Sequence, residues 1–176
     1  FPALTAAQRL HIEIYGYVVI ENLLCPSEIS TITDALYGIE DDFRRTGELP
    51  GPSCFNTSTS EDFFRIDNLP HLAPCFFDYV THPHIVGMAQ EIIGGNVRLQ
   101  QSDVHIRRPL PETPTSYGFH RTMGPTYHHL ENGLYHFTFI KALTNLTDLG
   151  PDDGGTTVIA GTHKIPDEVP KEAIID

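Results

Sequence analysis

From Pro26 onward, Ile29, Ile32, Leu36, Ile39 and Phe43 recur at spacings of three and four, and the stripe ends in the charged segment "EDDFRR". That period places the apolar side chains on one face of a helix, with Pro26 in its first turn where a missing N–H costs nothing. Upstream, Thr5 and Gln8 have the spacing of a capping box, predicting a short helix through Ile14 that stops at Gly16. The β-branched run Val18 to Ile20 in "YGYVVIENLL" then predicts a strand. A third helix is expected in "THPHIVGMAQEIIGG", from Pro83 to Gly94-Gly95, with Ile85, Met88, Ala89 and Ile92 inside it. His82 and His84, at its start, read as capping or surface residues. Residues 45 to 60 carry Gly, Pro, Ser and Thr without a period and read as a loop.

The period changes to two in the second half. "NVRLQQSDVHIRR" puts Val97, Leu99, Gln101, Asp103 and His105 on one face and Arg98, Gln100, Ser102, Val104 and Ile106 on the other. The first face begins apolar and turns polar, as in a strand entering a binding cavity or an edge strand emerging into solvent. "LYHFTFIKAL" is a second strand candidate, with Tyr135, Phe137 and Phe139 sharing a face, and "GGTTVIAGTHK" is a third. A turn is expected at Asn132-Gly133. Between these runs, "RRPLPETPTSYG" contains three prolines and cannot be a central strand. Helices first and strands later suggest α+β, or a β-core decorated by helices.

With 176 residues, 40% of them apolar, the chain is long enough for one domain and too short for two ordinary ones. Eleven basic against 23 acidic residues give a net charge of −12, so nucleic acid is not expected as a partner. Three widely spaced cysteines, Cys25, Cys54 and Cys75, fit neither a disulfide framework nor a zinc CxxC pair, and read as thiols of a reducing compartment. No apolar run approaches the roughly 20 residues that span a bilayer, and the first residues lack a signal pattern. The expectation is a cytoplasmic protein with neither a membrane nor a nucleic-acid partner.

Four blocks carry a resemblance: "LTAAQRLHIEIYGYVVIENLLCPSEI", "LQQSDVHIRRP", "GFHRT" and "ALTNLTDLGPDDGGTTVIAGTHK". In this order they resemble the phytanoyl-CoA dioxygenase family over essentially the whole chain, most specifically in the last block. The resemblance implies a mainly β fold with flanking α-helices, a double-stranded β-helix or jelly roll, forming one domain. Its helical part would run to about residue 95, its strands from about 96 to 176. It also implies Fe(II) and 2-oxoglutarate as cofactors, with a His-x-Asp pair and a distant second His holding the iron. His120 matches the first of these ligands. Gln101 matches a position that touches 2-oxoglutarate in relatives, and His105 lies where another polar cosubstrate contact occurs. Thr122 stands where the family usually has Asp, and a neutral hydroxyl replaces a carboxylate poorly on a hard divalent ion. The distal His and the Arg that pairs with 2-oxoglutarate normally follow "GTHK" by several strands, so the expectation is that later strands are missing from this chain.

The function so implied is hydroxylation of a small organic substrate, with 2-oxoglutarate decarboxylated to succinate and CO2. An iron halogenase is an alternative, because related halogenases carry Ala or Gly in place of the Asp; Thr122 is bulkier than either. A metal-free jelly-roll binding protein is another. His128, His129 and His136 are expected to face solvent or pack, Asp148 to shape a turn, and His163 to be structural. Arg107, Arg108, Arg121 and Lys141 could form a local anion site.

Overall fold

The computed structural model describes residues 4–51, 58–109, 119–120, 128–132, 134–150 and 153–165. Helix α1 (Ala6–Tyr15) starts at the Thr5–Gln8 capping box, both halves of which form, and ends at Gly16 with φ +82°. Helix α2 (Pro26–Thr46) ends at Gly47 in the same left-handed conformation. At its start Glu28 accepts a 2.7 Å hydrogen bond from the backbone N–H of Cys25. The long apolar stripe is the buried face: Ile32 and Leu36 are buried, with Ile29, Ile39 and Phe43 packed beside them. Helix α3 (Pro74–Val80) was not anticipated. Helix α4 (Pro83–Ile93) has the expected limits, and His82 caps it by accepting from the backbone N–H of His84.

Strand β1 (Ser58–Thr59) and strand β2 (Phe63–Asp67) form a tight hairpin, and β2 pairs antiparallel with β3 (Asp103–Arg107). Backbone hydrogen bonds from Asn68 to Ser102 and from Arg108 to Asp62 extend that ladder at both ends. Strands β4 (His128–Glu131) and β5 (Leu134–Phe137) form a second antiparallel pair, with Asn132 at positive φ in the turn between them.

Strand β2 is the centre of the core, although "FFRID" is short and preceded by two acidic residues, Glu61 and Asp62. Phe64 and Ile66 are both 0% exposed. Around them pack Ile32 and Leu36 of α2, Leu69, Phe76 of α3, and, half-buried, Val104 and Ile106 of β3. The alternation read for residues 103–107 holds: Val104 and Ile106 face the core, Asp103 and His105 the other side.

Several expected elements are absent. Residues 17–20 are irregular, not a strand, so β-branching there expresses a local preference with no partner strand among the described residues to satisfy its backbone. Residues 96–102 and 154–159 are likewise irregular, and the "GTHK" segment forms a 3-10 turn, Thr162–Lys164. Helix therefore exceeds strand among the described residues, in contrast to the mainly β expectation; flanking helices and antiparallel strands are present, and the observed strands are two small sheets.

Candidate functional site

Residues directly opposite in an antiparallel ladder project from the same face, so the register of β2 and β3 decides which polar groups meet. Arg65 pairs with His105, Asp67 with Asp103 and Phe63 with Arg107. Two carboxylates side by side repel each other, and Arg65 offsets this. Its Nη2 lies 2.9 Å from Asp67 Oδ1 and 3.8 Å from Asp103 Oδ2. Its Nε adds a 3.2 Å hydrogen bond to the same Asp67 oxygen. Lys141 Nζ, from the segment after β5, approaches Asp103 Oδ1 at 3.9 Å. The other Asp67 oxygen, Oδ2, is buried with no hydrogen-bond partner among the described residues.

His105 Nε2 lies 3.1 Å from Asp103 Oδ2. The edge of its ring meets Phe63, with centroids 5.5 Å apart, and the Arg107 guanidinium sits 4.5 Å from the centre of the Phe63 ring. Burial holds the imidazole below its ordinary pKa; Asp103 pulls the other way, and Arg65, Arg107 and Lys141 reinforce the lowering.

At the end of β3, Arg108 donates a 2.7 Å hydrogen bond to Glu40 Oε1, and Arg44 Nε donates to the same oxygen at 2.8 Å. Glu40 is 1% exposed. Burial raises the cost of its charge, yet the hydrogen bonds from Arg108 and Arg44 outweigh that and hold the carboxyl below its usual range. This ion pair ties α2 to the sheet. Arg108 is thereby committed to Glu40, while Arg107 and Lys141 stay near His105; Arg121 lies outside the described residues.

The expected site residues are distributed unevenly. His105 is in the charged face. Gln101 is exposed and precedes β3, two positions before its first residue. His120 is exposed, and Thr122 lies outside the described residues. Among the described residues no three His, Cys, Asp or Glu side chains come together to hold a metal ion, so they do not by themselves make an iron site. Two clefts, of about 340 Å³ beside α1 and about 260 Å³ between α2 and α3, are lined by neither Gln101, His105 nor His120. Arg65, Asp67 and Glu40 were not foreseen as members of polar networks. The alternation in "FFRID" was the available signal for the first two; a charged residue on the apolar stripe of α2 was the signal for Glu40.

The other histidines divide as follows. His136 is exposed on β5, and His129 stands opposite it in register. His163 packs on the end of α1, its Nε2 3.2 Å from the Glu13 carbonyl and its ring 5.8 Å from that of Phe137. Two residues after Asp148, the Gly150 N–H donates a 2.6 Å hydrogen bond to the Asp153 carboxylate. No described helix is long and apolar enough to cross a membrane.

Comparison with known proteins gives two relatives named ectoine dioxygenase. One, from Nocardia farcinica (strain IFM 10152), is 25% identical over 149 residues, covering 85% of this chain and 48% of its own length. The other, from Streptomyces anulatus, is 24% identical over 150 residues with the same coverage. The chain thus spans about half the length of these curated relatives. No solved structure gives a significant match. The profile of the phytanoyl-CoA dioxygenase (PhyH) family matches residues 12–175, nearly the whole chain, and the protein accordingly belongs to that family.

Proposed function

We propose that the protein is a non-haem Fe(II)/2-oxoglutarate-dependent dioxygenase that hydroxylates a small organic substrate and forms succinate and CO2. The observation that carries this reading is the family match over residues 12–175, which includes the "GFHRT" block. The two relatives named as dioxygenases support the same reaction class and a small-molecule substrate. His120 is the proposed iron ligand within this chain. Gln101 is proposed to contact 2-oxoglutarate, and His105 to border the same pocket. A double-stranded β-helix is the fold that goes with this reading, and antiparallel pairs such as β2–β3 and β4–β5 are compatible with it. The free thiols Cys25 and Cys75 agree with a cytoplasmic enzyme.

The test is succinate release from 2-oxoglutarate by the intact, iron-loaded protein in air, screened over candidate small molecules with and without chloride. Substrate-dependent succinate with a hydroxylated product is expected. A chlorinated product would replace hydroxylase by halogenase, and iron-free protein without turnover after anaerobic purification would leave a binding module.

A further inference from the structure

Helix α1 is held by its ends. None of its ten residues is buried, and Leu10 and Ile14 are 61% and 49% exposed. At its start the Leu4 N–H donates to Glu91 Oε2 of α4 at 2.8 Å, and Arg9 pairs with the other oxygen of that carboxylate. At its end three contacts cross to the "GTHK" turn. The Gly161 N–H donates to the Tyr15 carbonyl at 2.9 Å, His163 Nε2 lies 3.2 Å from the Glu13 carbonyl, and Lys164 Nζ lies 3.6 Å from Glu13 Oε2. A carbonyl oxygen only accepts, so the hydrogen bond to Glu13 puts the ring proton on Nε2 and leaves Nδ1 bare. Nδ1 is buried without a hydrogen-bond partner among the described residues, and it stands over Gly16, where a Cβ would fall 2.5 Å from it. A second proton would therefore make a buried N–H with no acceptor. Burial disfavours that proton, the bond to the Glu13 carbonyl opposes the effect, Lys164 reinforces it and the Glu13 carboxylate opposes it. These two charged groups lie on α1 and on the turn itself; Phe137, from β5, brings a ring and no charge.

We propose that His163 is a proton-operated latch: as a neutral ring it closes the joint between the end of α1 and the "GTHK" turn, and as an imidazolium it leaves that joint and releases both. Tyr17, Val18 and Val19, which follow the joint, line the cleft beside α1, so release frees one wall of that cleft. The latch needs neither iron nor a substrate.

Hydrogen exchange of the Gly161 amide in the intact protein reads the joint, because that N–H is bonded across it. Corrected for the intrinsic rate, its protection should fall between about pH 7.5 and about pH 5.5, a window above the range where ordinary carboxylates titrate. The fall should not exceed about tenfold per pH unit, the limit for one proton taken up on opening. The amides of Phe64 and Ile66, on the central strand β2, should keep their protection over the same window. His163→Gln keeps a side-chain N–H donor but cannot titrate, so its Gly161 protection should not depend on pH. Should that variant fail to fold, the ring 15N shifts of wild type decide: Nδ1 should be unprotonated at about pH 7.5 and gain its proton only as Gly161 loses protection. Wild-type Gly161 protection that ignores pH, an equal fall in His163→Gln, a parallel fall at Phe64 and Ile66, or a ring protonated at Nδ1 at about pH 7.5 would each overturn the proposal.

Discussion

His163 lies directly over the α-carbon of Gly16: a Cβ built at Gly16 would fall 2.5 Å from Nδ1 and 2.6 Å from Cγ of that ring. The same glycine ends α1 at φ +82°, and Tyr15, just before it, accepts a 2.9 Å backbone hydrogen bond from Gly161. Thus one residue both stops a helix and leaves room for the "GTHK" turn.

Gly16→Ala should consequently cost more than a helix C-cap substitution alone. The positive φ is unfavourable for alanine by about 1 kcal/mol, and displacement of the His163 ring adds to it, for a total of about 2–3 kcal/mol. Urea unfolding of the intact protein checks this. A loss under about 1 kcal/mol would mean that the ring moves aside freely.

Acidification should loosen the same contact. Burial lowers the His163 pKa from its ordinary 6.5, against the opposing hydrogen bond to the Glu13 carbonyl, and His105 is lowered as well. Both rings bind protons more readily unfolded than folded. Their contribution to stability is therefore fully present above the ordinary imidazole value and is lost as pH falls below it. Melting temperature measured from about pH 7.5 to about pH 5 should fall, and less steeply in His163→Gln.

Phe64→Ala should be among the most damaging substitutions. Its ring is fully buried where the β2–β3 sheet meets α2 and lies 5.6 Å from the ring of Phe43, so truncation leaves a cavity in the centre of the core. The expected loss is about 3–5 kcal/mol by chemical denaturation. A loss near 1 kcal/mol would place the centre of the core elsewhere.

Glu40→Gln tests the tie between α2 and the sheet. Two charge-assisted hydrogen bonds weaken at once, but Arg44 and Arg108 are partly exposed and can turn to solvent, which limits the loss to about 1.5–3 kcal/mol. Because the Glu40 carboxyl is held below its usual range, the wild-type advantage should be present near neutrality and disappear as acid protonates it. Equal stability of wild type and variant at neutral pH would show that the pair contributes nothing net.

His120→Ala should abolish stoichiometric Fe(II) binding by the intact protein while leaving its melting temperature within about 2 °C of wild type, as expected of an exposed side chain. Full iron retention would remove His120 from the metal site. Thr122→Asp should tighten iron binding, since a carboxylate is a better ligand than a hydroxyl for a hard divalent ion.

Helix limits were legible along the chain because their causes are local. Thr5 and Gln8 cap each other within one turn, Pro26 and Pro83 start helices, and Gly16 and Gly94 stop them. The stripe from Ile29 to Phe43 named the buried face of α2 for the same reason. The sequence blocks, read in order, were also enough to point to the family. Tertiary structure decided what depends on partners distant in sequence. Val18 to Ile20 have high strand propensity but no strand beside them among the described residues, whereas "FFRID" becomes the core strand because α2 and α3 cover its apolar side and β3 pairs with its backbone. Pairing of β2 with β3 also brought Arg65 and Asp67 onto the face of Asp103 and His105. That encounter sets Arg65 between two carboxylates and opposite His105, and no spacing along a single strand specifies it, because register is a property of two strands.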